Sequence, residues 1–590
     1  MLSLIKELSE LANGLGCPFD DDGVLSFKNM MRLDDLDEFP REAVEHLKQC
    51  GIYDYTVWHE FGGKMTDFPQ IMYVIRLLSQ RNPTVALQFV LHFIGYISVL
   101  IKGSDEQKQY YSDASMKGKG ISWGISEKAI GSDIVANQTT FRVDDGAYYL
   151  TGEKWPIGHC YQNDLVVVLA RDENKSGPGA HTMFIVDKKS VPQKQFQVLP
   201  RTRLLGLRGM DLSGVRLDNA RADHVIGAQG RGLEAMLCSQ HVCRIGVAAF
   251  ANALVDTSLR VALTFANKRT LFGKPVCEQP ITRRALVDAF ADVLNGDIAL
   301  MVSSRSVHVT PKNVSFLSSV AKYHVPHTYE STMNSLRDVL GARSYLRDDC
   351  YFGIFQKLYR DISCTGFVDG NKQVNLNNIT AQLSAILGQC GVSSVEEDCV
   401  KALYDFNADL PAVRLNEISV VSGKYECALL NLTNHVACLP KRLSALGMDE
   451  LLTQSIIAQG QALAIELTRL IDDESSAKSA LGHHYFSSVE SFELSARAAR
   501  IVMASHVIST ILYTDFTESF TDLSWAAVCL NRLLASPNEC AVPSELYERA
   551  FAVMQALADG DRAFSIVNYH IGVHEHFADG DLDLGGSHAK

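Results

Sequence analysis

The stretch GLEAMLCSQHVCRIGVAAFANALVDTSLRVALTFANKR, at 232–269, constrains the fold more than any other feature of the sequence. Apolar residues follow it with helical spacing almost without interruption, which predicts a long helix buried among others. Its glycines and alanines favour close approach of the neighbouring helices. Two more helical patterns follow, at 281–310 and 313–343. We therefore expect a helical bundle in this part of the chain.

The residues between 118 and 230 have a different period. The run TTFRVDDGAYYLTGEKW alternates as a strand does and is broken at Asp145-Gly146, a common hairpin dipeptide. DLVVVLAR and HTMFIVDK are short apolar runs rich in β-branched residues, which favour strands. This zone is predicted to be a β-domain.

Helical patterns return on both sides of these two zones. The segments 40–52 and 67–102 have apolar residues at helical spacing, and a serine followed by acids at 104 is typical of a helix start. Beyond 385 no strand pattern of any length occurs. The sequence thus predicts an α+β protein of several parts: an N-terminal helical domain (1–117), a β-barrel-like domain (118–230), a C-terminal helical bundle (231–385) and an extra helical domain (386–590).

Charge and hydropathy exclude several classes of protein. The 590 residues carry a formal net charge of −13, whereas nonspecific binding of nucleic acid needs a basic surface. The opening MLSLIKELSELANGLG lacks the basic start and uninterrupted apolar core of a secretory signal. The apolar run 86–103 is shorter than a membrane span and contains His92. We expect a buried helix there and no transmembrane segment.

The cysteines and histidines give no sign of a metal site. The 14 cysteines include no CxxC pair, which is typical of reduced thiols in a reducing compartment, and we expect a cytoplasmic protein. The densest histidine cluster, HIGVHEHF, holds His570, His574 and His576 near the chain end. We interpret it as surface, so no metal is expected.

Six short motifs then occur in a fixed order. They are ISWGISEKAIGSD from 121, GEKWPIGH from 152, LLGLRGMDLSGVRLDNARADHVIGAQGRG from 204, FANKRTLFGKPV from 265, DVLGARSYL from 338 and YRDISCTGFVDGN from 359. In order and spacing they resemble the acyl-CoA dehydrogenase flavoprotein family, from about residue 40 to about residue 380. The resemblance implies that FAD is the cofactor and that an acyl thioester is the substrate.

In the β-domain, the resemblance assigns residues around the flavin ring. It implies that Trp123, Ile125 and Ser126 face the ring and that Ser126 bonds its pyrimidine edge. Ser132 would lie toward the pantetheine arm of the substrate. Gly158 stands where the family has a threonine beside flavin N5, so this position has only its backbone to offer.

The helical bundle carries the matches for the rest of the cofactor. Arg269 and Phe272 match the arginine that reaches the flavin pyrophosphate of a neighbouring subunit and the phenylalanine at the adenine end. A guanidinium fork suits a diphosphate. Gly341 and Ala342 match the small pair that lets the backbone approach the cofactor. Asp338 replaces the family's glutamine and is left off the flavin set, because an acid beside a diphosphate is unfavourable.

The phrase TGFVDGN contains the candidate catalytic base. Alone it is a turn, because Asp-Gly suits positive φ. In the family a glutamate followed by glycine abstracts the α-proton, and counting on from the preceding Arg-Asp pair places Asp369 and Gly370 there. A second lineage carries its glutamate before an arginine of the long helix, and here that pair is Cys243 and Arg244. The resemblance therefore implies Asp369 as base, with Arg244 and Gly370 beside the substrate.

These matches imply a dehydrogenase that introduces an α,β double bond into acyl-CoA or an acyl carrier protein. Electron-transfer flavoprotein or another acceptor would reoxidise it. Because aspartate also occurs at the base position in the related nitroalkane oxidase, a flavin oxidase or monooxygenase stays an alternative, as does a flavin-free binding subunit. Residues 386–590 resemble, in position and helicity, the extension of very-long-chain acyl-CoA dehydrogenases, which implies a homodimer.

Overall fold

A computed structural model of the chain describes residues 1–20, 22–391, 396–422, 426–534 and 541–572. Its first part is helical, as predicted. The helices are α1 (Leu2–Gly14), α2 (Phe27–Leu36), α3 (Arg41–Gln49), α4 (Phe68–Arg81), α5 (Pro83–Lys102) and α6 (Asp105–Met116). A capping box at Ser104 and Gln107 begins α6, as the serine and acids there indicated.

The helical run expected over 67–102 is divided into α4 and α5 at Asn82. This residue has an extended backbone, and its side chain accepts hydrogen bonds from the N–H groups of Thr84 and Val85 at 3.1 and 3.2 Å. Pro83 then starts α5, where the N–H that proline lacks would have no helical partner. Both helices are buried along almost their whole length.

One mixed sheet of eight strands follows. Its strands are β1 (Ile121–Gly124), β2 (Thr140–Asp144), β3 (Ala147–Gly158), β4 (Leu165–Asp172), β5 (His181–Asp187), β6 (Phe196–Val198), β7 (Leu212–Arg221) and β8 (His224–Ile226). The order is β6-β7-β3-β2-β4-β5-β8, and β1 pairs in parallel with β4. The hairpin between β2 and β3 turns at Asp145 (φ 48°) and Gly146 (φ 74°), as predicted. In the described residues the sheet is open rather than closed into a barrel.

The helical bundle is confirmed. Its elements are α7 (Gly232–Lys268), the short strands β9 (Thr270–Leu271) and β10 (Lys274–Pro275), α8 (Pro280–Val309), α9 (Val314–Leu340), α10 (Cys350–Asp361) and α11 (Lys372–Leu387). Helix α7 packs against α4, α5, α8 and α9. Among the described residues, the helices α5 and α7 are long and apolar enough to span a membrane. The most apolar 18-residue stretch of each lies inside the fold, with 89% of it buried in α5 and 100% in α7.

The remaining helices form the predicted extension. They are α12 (Glu397–Tyr404), α13 (Cys427–Ala445), α14 (Glu450–Leu481), α15 (Val489–Tyr513), α16 (Ser524–Leu533) and α17 (Ser544–Asp559). Helices α15, α16 and α17 pack on α8, and α15 also packs on α9 and α11. Arg532 of α16 donates two hydrogen bonds, at 2.9 and 2.8 Å, to the carboxylate of Asp292 in α8. The extension is therefore joined to the outer side of the bundle by buried contacts.

The residues after α17, which we call the C-terminal segment (561–572), return to the N-terminal helices. Arg76 of α4 is fully buried and pairs with Asp297 at 2.7 Å and Asp256 at 2.8 Å. The segment completes this charge cluster, because Arg76 also donates to the carbonyl oxygen of Phe564 at 2.9 Å. The N–H groups of Phe564 and Ile566 donate to the two aspartates at 3.1 and 2.8 Å.

Candidate functional site

Asp369 lies in a tight turn between α10 and α11. Asp369 and Gly370 both have left-handed backbones, with φ of 54° and 101°. Asn371 follows as the cap of α11, and its side chain accepts a hydrogen bond from the N–H of Val374 at 3.0 Å. The turn expected from the Asp-Gly dipeptide is present, and it directs the aspartate side chain inward rather than to solvent.

The carboxylate of Asp369 is placed as a base needs to be. Its Oδ2 atom is buried and has no hydrogen-bond partner in the described residues. Burial raises the pKa of Asp369 above its ordinary value, while the charges of Lys322 and Arg244 act in the opposite direction. A buried carboxylate oxygen with a free lone pair is suited to accept a proton from a bound molecule.

Arg244 of α7, which the resemblance assigns to the substrate side, lies against the same turn. Its Nε donates to the carbonyl oxygen of Asp369 at 3.3 Å, and its NH1 donates to the hydroxyl of Ser319 at 2.9 Å. A Cβ built on Gly370 would lie 3.6 Å from the Arg244 guanidinium. The structure thus brings Arg244 next to Asp369 and Gly370, although Arg244 and Asp369 are 125 residues apart in the sequence.

Cys243, the residue at the alternative base position, is only 1% exposed. Burial and the neighbouring charge of Asp369 raise the pKa of its thiol well above the ordinary value. The thiol is therefore protonated at neutral pH and cannot act as the proton acceptor. Of the two candidate positions for the base, Asp369 is therefore the one that carries a suitable side chain.

A second group of predicted residues lies at the end of β1. Trp123 is the third residue of the strand, Ile125 is buried just beyond it, and Ser126 is half-buried. The carbonyl oxygen of Ser126 accepts a hydrogen bond from the N–H of Trp155 in β3 at 3.0 Å. This bond places the Ser126 loop beside the strand that ends at Gly158. Ser132 lies farther along the same loop and is exposed.

A buried ion pair that the sequence analysis did not identify holds this loop. Lys154 of β3 is 0% exposed. Its ammonium donates to the Ile125 carbonyl oxygen at 3.0 Å, to Glu127 Oε1 at 3.0 Å and to Asn137 Oδ1 at 2.7 Å. Glu127 also accepts from the N–H and hydroxyl of Thr139 at 2.8 and 2.7 Å. Lys154 and Glu127 both belong to motifs quoted above. The charge of Lys154 inside a predicted strand is the signal by which this pair could have been found.

Gly158 is close to side chains that a larger residue would meet. A Cβ built there would lie 2.3 Å from Cδ1 of Leu91 and 3.1 Å from Cε of Met210. Leu91 belongs to α5, so the N-terminal helices fill the space that a threonine side chain would occupy. Leu91 thus packs where a side chain at position 158 would lie, so the position has to be glycine. A hydrogen bond from this position can come only from its backbone.

The remaining predicted residues lie apart, on two exposed turns. Arg269 is at the end of α7, and in the part of the chain that the structure describes its side chain forms no hydrogen bond or ion pair. Phe272, at the tip of the β9–β10 hairpin, is 98% exposed. Gly341 and Ala342 are also exposed, and nothing lies within 4 Å of a Cβ built on Gly341. Asp338 is exposed and lies 3.5 Å from Arg337.

No group of three His, Cys, Asp or Glu residues among the described residues is placed to hold a metal ion. His570 lies in the C-terminal segment, whereas His574 and His576 lie outside the described residues. The cysteine side chains that the structure describes are all free thiols.

Family models match the chain over most of its first two thirds. The N-terminal, middle and C-terminal domains of acyl-CoA dehydrogenase match residues 27–119, 122–220 and 230–384. Among curated proteins, the chain is 25% identical over 356 residues to a 3-(aryl)acrylate reductase of Clostridium sporogenes (strain ATCC 15579), covering 60% of this chain and 92% of the relative. It is 24% identical to an acyl-CoA dehydrogenase of Bacillus subtilis (strain 168), covering 58% and 89%.

Solved structures share the fold. Butyryl-CoA dehydrogenase from Megasphaera elsdenii superposes with a TM-score of 0.57 at 19% identity, covering 63% of this chain and 96% of that one. A prolyl acyl carrier protein oxidase gives a TM-score of 0.55 at 18% identity, covering 63% and 96%. At these identities the likeness concerns the fold alone.

Proposed function

We propose that this chain, which belongs to the acyl-CoA dehydrogenase family, is an FAD-dependent dehydrogenase that introduces an α,β double bond into an acyl thioester. The observation that supports the proposal most is the carboxylate of Asp369. Among the buried side-chain atoms of the described residues that lack a hydrogen-bond partner, its Oδ2 atom is the one carboxylate oxygen, and a buried polar atom without a partner calls for an explanation.

In the proposed reaction, Asp369 takes the proton from the carbon α to the thioester carbonyl. When bound, FAD would supply the oxidising equivalent as the acceptor for a hydride of the β-carbon. Because burial raises the pKa of Asp369, the carboxylate is a stronger base than a solvated aspartate. The positive charges beside the carboxylate act in the opposite direction and favour its ionised form.

The residues present fit a flavin that is shared between two subunits. Trp123, Ile125 and Ser126 would hold the ring from the β-domain, and the Lys154–Glu127 pair keeps their loop in place. Arg269 offers a guanidinium with no partner in the described part of the chain, which suits a diphosphate. We infer that Arg269 and the exposed turns with Phe272 and Gly341 serve the cofactor of a neighbouring copy.

The acyl carrier would be CoA or the phosphopantetheine of a carrier protein, with Ser132 toward the pantetheine arm and Arg244 and Gly370 at the reacting end. Ser132 is exposed, so the arm would reach the site from solvent. The electron acceptor would be electron-transfer flavoprotein or another carrier. Each of these is a finer proposal than the family itself.

Purified protein tests the proposal directly. We would measure its flavin content and then follow bleaching of the flavin absorbance without oxygen, across a panel of acyl-CoA and acyl-carrier thioesters, with the enoyl product identified by mass spectrometry. Reduction with formation of enoyl thioester supports the proposal. Rapid oxygen consumption by the reduced protein would instead indicate an oxidase. Protein that binds no FAD would indicate a binding subunit and would end the proposal.

A further inference from the structure

Lys322 of α9 is a buried cation next to the Asp369 turn that neither the motifs nor the proposed reaction uses. It is 2% exposed. Its ammonium donates to the carbonyl oxygen of Thr365 at 2.7 Å and to that of Gly370 at 3.0 Å. These two carbonyls stand on either side of Asp369 in the sequence. One side chain from the bundle therefore holds both ends of the turn that carries the base.

Such support helps to hold the turn in its left-handed conformation. Asp369 has φ of 54°, a region that residues with a Cβ adopt at a cost and keep only where their surroundings enforce it. Two other groups add to the hold: Asn375 donates to the Gly370 carbonyl oxygen at 2.9 Å, and Arg244 Nε donates to that of Asp369 at 3.3 Å. Lys322 is the only one of the three donors that binds on both sides of Asp369.

Lys322 also places a charge in the site. Burial lowers the pKa of its ammonium to about 8, and the facing groups are the Asp369 carboxylate and the Cys364 thiol on the turn and the Arg244 guanidinium on α7. No carboxylate lies within ion-pair distance of Lys322 in the described residues. Asp369 is thus the acid whose ionised form this ammonium stabilises, and the effect is mutual.

We propose that Lys322 is a positioning residue for the base, which fixes the Asp369 turn through the Thr365 and Gly370 carbonyls and keeps the Asp369 carboxylate ionised by its charge. The kinetic part of this inference rests on the proposed dehydrogenase function. The structural part does not, because the two hydrogen bonds hold the turn whatever the protein binds.

Two variants test the two roles. Lys322→Met keeps the length and apolar stem of the side chain and removes both charge and donors. Lys322→Gln removes the charge and keeps an N–H donor. The matched control is Lys372→Met, which removes an exposed cation three residues after Asp369. Flavin content and the thermal unfolding midpoint are measured for each, to confirm that the fold is retained.

Hydrogen exchange reports the hold on the turn without any substrate. In Lys322→Met we expect the amides of residues 366–371 to exchange faster by about tenfold or more, because local opening no longer breaks two hydrogen bonds to the ammonium. The control should exchange as the wild type does. Unchanged exchange in Lys322→Met would overturn the positioning role.

The pH profile of flavin reduction reports the charge. Without the ammonium, the pKa of Asp369 rises, so the acidic limb of the profile should move to higher pH in both Lys322→Met and Lys322→Gln, and stay in place in the control. At neutral pH we expect Lys322→Met to lose about 10²-fold in rate, as small displacements of a reacting group do. An unmoved limb would exclude the electrostatic role. If the wild type oxidises no thioester, the proposed function fails, and hydrogen exchange still decides whether Lys322 holds the turn.

Discussion

Asp369 combines a left-handed backbone with a buried carboxylate, and the two properties depend on each other. The positive φ of Asp369 and Gly370 reverses the chain sharply enough to send the side chain back toward α7 and α9. There its Oδ2 atom is buried without a hydrogen-bond partner in the described residues. An aspartate reaches less far than a glutamate, so in the proposed reaction its turn would have to lie close to the reacting carbon.

Replacing Asp369 by asparagine removes the proton acceptor and leaves the shape almost unchanged. We expect Asp369→Asn to keep FAD and bind substrate but to reduce its flavin about 10²–10⁴-fold more slowly, measured by stopped-flow absorbance. Asp369→Glu restores the family's usual acid and should retain measurable activity. An unchanged rate in Asp369→Asn would show that the aspartate serves only the turn.

The pH dependence of the same step follows from the direction of the pKa shift. Burial raises the pKa of Asp369, so protonation of the base begins at a higher pH than for a solvated aspartate, which titrates near pH 4. The rate of flavin reduction should therefore fall on acidification, with an apparent pKa above 4. A rate that stays constant down to pH 4 would contradict this assignment.

For single residues, the sequence predicts the site residues that match family motifs. It does not predict the buried side chains that keep those residues in place. Asp369, Gly370 and Arg244 could be predicted because each belongs to a quoted stretch, and the structure brings them together. The partners of Lys154 and Lys322 could not. Lys154 and Glu127 are 27 residues apart, and which buried acid or carbonyl a lysine meets depends on the packing of whole elements.

Among the elements, the β9–β10 hairpin at the end of α7 is the most exposed of those carrying predicted site residues. Its tip holds Phe272, 98% exposed, and Arg269 precedes its first strand. Almost all of the surface of this ring lies outside the packing of its own chain. The hairpin is therefore an arm directed away from its own subunit.

Removing the guanidinium of Arg269 tests the role of this arm. We expect Arg269→Ala to lose FAD during purification and to keep the unfolding transition of the apoprotein, because in the described structure the side chain stabilises nothing within its own chain. Lys268→Ala, which removes the adjacent cation, is the control and should retain its flavin. Full flavin occupancy in Arg269→Ala would show that the arginine is a surface cation.

Most elements could be predicted from their periodicity, because helices such as α7 and α8 repeat their apolar pattern over many turns. The exceptions have local causes. The break between α4 and α5 follows from Asn82 and Pro83, a cap and a first-turn proline that override a continuous apolar pattern. The openness of the sheet depends on strand order and register, which alternation alone does not specify.

In the molecule as a whole, the extension covers one side of the bundle. Helices α15, α16 and α17 lie on α8, and α15 reaches α9 and α11. Hydrogen bonds stabilise this contact. Arg532 of α16 binds Asp292 of α8, and the hydroxyls of Thr380 in α11 and Ser495 in α15 lie 2.7 Å apart. These faces of α8 and α9 are consequently closed to another subunit.

The covered bundle leads us to expect a homodimer in solution. Light scattering coupled to gel filtration should give twice the 65.0 kDa of the chain, and the value should persist over a dilution series. In the proposed arrangement the exposed hairpin would supply the remaining contact surface, and FAD shared across it would require a second copy. A stable tetramer would show that the extension leaves the second interface open.

The buried charge cluster gives a stability prediction. Arg76→Met leaves Asp297 without its cation and Asp256 with only Arg260, which lies 3.0 Å away. Removing one partner of a buried pair costs about 3–5 kcal/mol, and we expect a loss of that size in the free energy of unfolding by chemical denaturation. Lys6→Met, which breaks an exposed pair with Glu10 at 3.8 Å, should change it by less than about 0.5 kcal/mol. Equal effects would contradict the cluster's role.

The same cluster sets an order in time. Arg76 and the Phe564 carbonyl that it binds are 488 residues apart, and translation at about 5–20 residues per second separates their synthesis by roughly 25–100 s. During that interval the helices around Asp256 and Asp297 emerge from the ribosome without the backbone groups that later satisfy these acids. We expect nascent chains stalled before Phe564 to be cleaved by protease within the N-terminal helices, and released chains to resist. The first helices made would then be among the last to reach their final packing.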